Sequence, residues 1–138
     1  MEIRAHIRNH AGDHEVSVCT AGNMQRLQVA ARAGAPGSSV NGGELLMAAL
    51  ATCYCNDLYR EAARLGIEIH GCEVVATAHF NGAGLAAEAI VYRTRVASSA
   101  TSDQIEHLLA ETDRLAEVHN TLRSGCAVRR TPWHEPAA

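Results

Sequence analysis

This chain of 138 residues carries five cysteines and eight histidines, and where they fall decides which reactions are open to it. Cys53-Tyr54-Cys55 is C-x-C, not the C-x-x-C of dithiol redox and zinc sites. Both thiols sit in the apolar stretch Leu45 to Cys55, which the spacing predicts to lie in a helix over about residues 43 to 65. On an ideal helix they are about 200° apart and cannot pair while it is intact. Cys55 shares its stripe with Ala48, Ala51, Thr52, Leu58, Tyr59 and Ala62, which reads as small-residue packing around an inert thiol. The stripe of Cys53 passes from Leu46, Ala49 and Leu50 to Asn56, Asp57 and Arg60. Cys53 is therefore either a buried free cysteine or a reactive thiol, which needs positive potential and partial access. Glu44 points to the opposite side of a straight helix. It reads as a first-turn carboxylate that favours the helix dipole, unless a second chain brings it to Cys53.

The histidines, at 6, 10, 14, 70, 79, 107, 119 and 134, form no i, i+4 pair on an expected helix. His10 and His14 straddle a turn and could meet across a hairpin. No set of three or four ligands converges, so no metal site is expected. Gly82-Ala83-Gly84-Leu85-Ala86-Ala87 matches the dinucleotide fingerprint, but a strand, not a helix, is expected to follow. It reads as a hairpin turn, and no cofactor is expected.

The elements that must hold these residues follow from period and punctuation. Ile3, Ala5 and Ile7, then Val16 and Val18, then Leu27 and Val29 mark three strands, separated by Ala11-Gly12-Asp13 and Ala21-Gly22-Asn23. Residues 33 to 43 form a breaker-rich loop. Ser39 or Asn41 caps the long helix, and Gly66 ends it. Two longer strands follow, at 67 to 80 and about 88 to 97, with a phase slip at Gly71 that predicts a bulge. A last helix is expected over about Ser102 to Val118, with a Thr101/Gln104 capping box. The stretch from Arg129 to Ala138 reads as a loose tail. The order predicts one α+β domain over residues 1 to 138 with a mostly antiparallel sheet. The first half of the long helix is apolar on every side, which predicts burial all round and a partner subunit to supply it.

All twelve basic side chains are arginine, which excludes lysine Schiff-base chemistry and a Walker A loop. With 15 acidic residues and no basic block, a nucleic-acid groove is not expected. No apolar run reaches the roughly 20 residues of a membrane helix, so no membrane partner is expected either. Met1-Glu2-Ile3-Arg4-Ala5-His6 does not read as a signal peptide, so a cytoplasmic protein is expected.

From Val40 to Cys53, VNGGELLMAALATC, the chain resembles the OsmC/Ohr family of hydroperoxide-detoxifying proteins. Gly66-Ile67-Glu68-Ile69 and Val118-His119-Asn120-Thr121-Leu122 extend the likeness over about residues 38 to 123. The resemblance implies an intertwined homodimer whose sheets wrap two long central helices. It also implies a chemistry: a helix cysteine attacks the O–O bond, becomes a sulfenic acid, and closes a disulfide with a second cysteine. An Arg and a Glu help form the thiolate, and an external dithiol regenerates the enzyme. Cys53 takes the attacking position and Glu44 that of the glutamate; Arg26 or Arg32 is the candidate arginine. The sequence departs from the pattern at Gly42, where the family has Pro, and at Ala116, where the second cysteine falls. Cys126, Cys55, Cys19 or an external thiol would then resolve Cys53, and His119 would line the pocket or stand solvated at a helix end. Two functions are carried forward: thiol-based reduction of organic hydroperoxides, and binding of a small apolar or acyl ligand in the same dimer pocket without turnover.

Overall fold

Two antiparallel sheets and three helices make up the computed structural model, which describes residues 1 to 133. The elements are β1 (Ile3–His10), β2 (Asp13–Thr20), β3 (Asn23–Leu27), α1 (Gly42–Leu65), β4 (Gly71–Phe80), β5 (Ala87–Ala97), α2 (Ser102–Leu115) and α3 (Glu117–Ser124). This is the expected α+β class with a long helix at its centre in the chain order. The molecule divides into two compact units, Met1–Met47 and the part from Ala48 onward. No helix among the described residues is long and apolar enough to cross a membrane. Of the expected loose tail, 129 to 133 are irregular and exposed; the rest, including His134, lies outside the described residues.

In the first unit β1, β2 and β3 form a meander in that order. Both turns place alanine and then glycine in the left-handed region, at Ala11 (φ 49°) and Gly12 (88°) and at Ala21 (49°) and Gly22 (86°). This is the signature of the two-residue hairpin whose twist matches its strands. β3 ends at Leu27, so Val29 falls outside the strand it was expected to join. His14 pairs with Asn9 and His10 with Asp13, so the two histidines do not face each other as the spacing had allowed. Ile7, Val16 and Leu27 line up across the strands. Among the described residues of this unit only Val16, at 7% exposure, is buried; Ile3 and Ile7 on the same face are more than half exposed. A sheet face this apolar lacks a cover within its own unit. At the unit's end Asn41 accepts the Glu44 N–H (2.9 Å) and donates its own N–H to the Glu44 carboxylate (2.7 Å), so Asn41 is the cap.

The second unit has a proper core. Tyr54, Leu58 and Ala62 recur every four residues along α1, and Leu108, Thr112 and Ala116 do the same from α2 into its cap. These two rows meet over the inner face of the β4–β5 hairpin, with Cys72, Val74, Tyr92 and Val96 beside them. Thr112 donates to the Leu108 carbonyl (2.8 Å) and Tyr54 to that of Leu109 (3.0 Å), so both buried hydroxyls are satisfied. Gly66 (φ 68°) ends α1, and the Ile67 N–H returns to the Ala62 carbonyl (2.9 Å). Residues 67 to 70 are not strand, and no bulge marks Gly71; the register shift lies at His79/Phe80 instead. The glycine motif at 82 to 87 fills the β4–β5 connection and runs into the first residue of β5, with Gly84 at φ 78°.

The expected last helix is two helices. Thr101 and Gln104 form the predicted capping box, but α2 stops at Leu115. Ala116, fully buried, is extended (ψ 110°) and serves as C-cap of α2 and N-cap of α3. Side chains of α3 secure this break. Asn120 donates to the Arg114 carbonyl (3.0 Å), and Arg123 grips the Asp113 carboxylate (2.7 Å) and carbonyl (3.3 Å). The bend sets the first turn of α3 beside α1.

Candidate functional site

That first turn meets α1 at Cys53. The thiol donates toward Asp57 Oδ2 at 3.4 Å, one turn ahead on α1, and toward Glu117 Oε2 at 3.8 Å on α3. The Val118 N–H, an orphan donor at the start of α3, points at the same sulfur. Arg60 closes the cluster: its Nη1 lies 2.9 Å from Asp57 and 3.7 Å from Glu117. Its Nε contacts Glu61 (3.3 Å), which Arg64 also holds (2.6 Å) while reaching Glu111 on α2 (3.0 Å). Cys53 is half-buried and Asp57 is buried, whereas Arg60 and Glu117 are exposed.

The electrostatics oppose a preformed thiolate. Burial is the largest influence and pushes the Cys53 thiol above its ordinary value; the Val118 N–H pulls it down, and Asp57 and Glu117 push it up again. Burial also raises Asp57, against the Cys53 hydrogen bond and Arg60. Asp57 is thus a better proton acceptor than a solvated carboxylate, and it already receives the Cys53 S–H.

The sulfur and one oxygen from each carboxylate lie within 4.8 Å of one another, a convergence that sequence spacing had not assembled. One thiolate with two carboxylates is a donor set that suits zinc or a similar divalent ion. In this structure the positive charge between the carboxylates comes from Arg60.

Behind the cluster His119 is buried, at 3% exposure, not solvated at a helix end. Its ring packs against Tyr54 (5.5 Å between centroids) and edge-on to Tyr92 (4.6 Å), and neither nitrogen has a protein partner. A cavity of ≈ 90 Å³ opens there, lined by Leu50, Ile90, Tyr92, His119, Leu122 and Arg123. Burial, helped by Arg123, holds His119 below the usual imidazole value of 6.5, against Asp113 and Asp57. The unfolded chain therefore binds a proton that the folded chain refuses, and stability falls as pH drops below about 6.5. His119→Phe keeps the ring packing and removes the refused proton. Its melting temperature is expected to fall less than that of the wild type between about pH 7 and 5.5 in thermal scans.

The remaining candidates stand as follows. Glu44 is engaged in its cap with Asn41. Arg26 is exposed on β3 and lines an open depression of ≈ 430 Å³ in the first unit; Arg32 lies in the following loop. Cys126 is exposed just past Gly125, the C-cap of α3, and donates to the Ala127 carbonyl at 3.9 Å. Cys19 is half-buried in β2. From the sequence Asp57 reads only as a neighbour on the Cys53 stripe, and Glu117 and Val118 carry no site role. The i, i+4 spacing of Asp57 from Cys53 is visible there, but the bend that delivers Glu117 and Val118 is not.

Comparison with known proteins agrees with this architecture. The family model described as OsmC-like protein matches residues 35–130. The OsmC-like protein from Mycoplasma pneumoniae has a similar structure, with a TM-score of 0.60 at 20% identity over 88% of this chain and 86% of that one. For the organic hydroperoxide resistance protein OsmC from Legionella pneumophila the TM-score is 0.59 at 15% identity, over 87% and 89%. For the organic hydroperoxide resistance protein of Bacillus subtilis it is 0.55 at 16%, over 89% and 91%. No curated protein matches the sequence. The family model spans well over half of the chain and the solved structures share its fold, so the chain belongs to the OsmC-like family.

Proposed function

We propose that the protein is a single-domain, homodimeric thiol peroxidase that reduces organic hydroperoxides through Cys53, in the cytoplasm, where unpaired thiols persist. The observation that carries this reading is the Cys53 cluster: a half-buried thiol that donates to a buried carboxylate and lies under a helix-terminal N–H. Names among the structural relatives, two of them hydroperoxide resistance proteins, support the substrate class. The apolar face of the β1–β3 sheet, which has no cover within its own unit, supports the dimer, as do the exposed Leu45, Ala48 and Ala49 at the start of α1. Leu50, one turn before Cys53, lines the small cavity with Ile90 and Leu122, an apolar wall that favours an organic peroxide. In the dimer, Glu44 and Arg26 of a second copy are the residues we assign to complete the pocket. The second function, ligand binding without turnover, draws on the raised Cys53 thiol.

In the proposed cycle Asp57 accepts the thiol proton as the sulfur attacks the hydroperoxide. The S–O bond forms, the O–O bond breaks, and the leaving alkoxide takes the proton and departs as an alcohol. A dithiol reductant attacks the sulfenic acid sulfur and water leaves. Its second thiol then closes the reductant's own disulfide and frees Cys53. An external thiol completes the cycle without Cys126, which remains the candidate for an internal route. Arg60 keeps Asp57 and Glu117 from repelling each other and the developing negative charge. The test combines sedimentation with turnover. The purified chain is expected to sediment as a dimer and to consume cumene hydroperoxide with dihydrolipoamide or dithiothreitol, yielding the alcohol. A dimer that holds a small apolar ligand yet consumes no hydroperoxide would replace this reading with the binding one.

A further inference from the structure

On the other side of α1 the cycle leaves two thiols unused. Cys55 Sγ and Cys72 Sγ lie 3.2 Å apart, joining α1 to the start of β4. Both are free and half-buried. A disulfide needs a separation near 2.0 Å, so closure asks for an approach of only about 1.2 Å. By spacing alone Cys55 is inert packing; the fold gives it a partner from a strand that spacing does not pair with it. Tyr59, one turn along α1 from Cys55, is 46% exposed and stands near Cys72, so the pair lies close to solvent. Burial, with the Cys55 sulfur beside it, pushes Cys72 up to about 11. Cys72 therefore remains a thiol at neutral pH, with its sulfur within hydrogen-bond reach of Cys55.

We propose that Cys55 and Cys72 form a second redox centre, a dithiol that reduces low-molecular-weight disulfides by exchange and itself closes between α1 and β4. Cys55 attacks one sulfur of the external disulfide; that S–S bond breaks, a mixed disulfide forms, and the first small thiol leaves with a proton. Cys72 then attacks the Cys55 sulfur, gives up its own proton, and releases the second small thiol. Two protein thiols are oxidised and one external disulfide is reduced to two thiols. Cys53 faces away from this pair around the helix, so the centre operates independently of the peroxidase site.

The test uses the full chain carrying Cys53→Ser, in which the tryptic peptide 33 to 60 holds Cys55 as its one thiol and peptide 65 to 93 holds Cys72. The reduced protein is incubated with bis(2-hydroxyethyl) disulfide, alkylated and digested. Mass spectrometry is expected to find the two peptides joined, with no hydroxyethyl adduct on either. A lasting mixed disulfide on Cys55 or Cys72, or both still alkylatable once the exposed Cys126 has reacted, would overturn the proposal. In the wild-type chain phenylarsine oxide, which bridges adjacent thiols, is expected to protect Cys55 and Cys72 together from alkylation; protection of neither would overturn it equally. Loss of hydroperoxide turnover in Cys53→Ser with the cross-link intact would separate the two sites.

Discussion

Cys53→Ser is expected to lower hydroperoxide turnover by about a thousand-fold or more, because a serine hydroxyl does not displace oxygen from oxygen. The substitution is nearly isosteric, so Asp57, Arg60 and Glu117 keep their places and stability should change little. Affinity for the hydroperoxide should survive while the maximal rate is lost. Asp57→Asn separates the nucleophile from its base. It removes the carboxylate that takes the thiol proton, so turnover should fall. It also removes a charge that pushes the Cys53 thiol up, so alkylation of Cys53 at neutral pH should become faster. Opposite changes in these two rates, read by coupled turnover and by iodoacetamide kinetics, would mark Asp57 as the proton acceptor. Turnover retained in Cys53→Ser would remove Cys53 from the reaction.

Leu58→Ala carries the largest expected loss of stability, about 2–5 kcal/mol, since the side chain is wholly buried and the site cannot collapse around the cavity. Leu58 stands between Tyr54 and Ala62 on α1 and faces the α2 row at Leu108 and Thr112. Its loss loosens the wall against which Ala116 packs, and with it the bend that presents Glu117 and Val118 to Cys53. Denaturant unfolding should show the loss of free energy, and the Cys53 alkylation rate should drift toward that of a free thiol. A midpoint within error of the wild type would place the core elsewhere.

Much of the fold can be read in the chain because short-range chemistry dictates it. The Ala-Gly turns, the Thr101/Gln104 box, the Asn41/Glu44 cap and the stop at Gly66 are each decided within a few residues. Cys53, with Arg60 two turns on, was equally legible, since helix spacing alone puts them on one face. The rest depends on distant partners. The bend at Ala116 is held by Asn120 and Arg123 reaching back to α2, so a continuous apolar stripe reads as one helix. His119 looks like a surface residue until Tyr54 and Tyr92, far away in sequence, close around it. Cys55 and Cys72 meet only because β4 returns under α1.

If the Cys53 sulfur meets the peroxide, as proposed, sulfenic-acid trapping will catch it there. Reduced protein receives one equivalent of cumene hydroperoxide in the presence of dimedone, followed by peptide mapping. The dimedone adduct is expected on Cys53, appearing as the hydroperoxide is consumed. An adduct on another cysteine, or consumption of hydroperoxide with Cys53 still alkylatable, would contradict it.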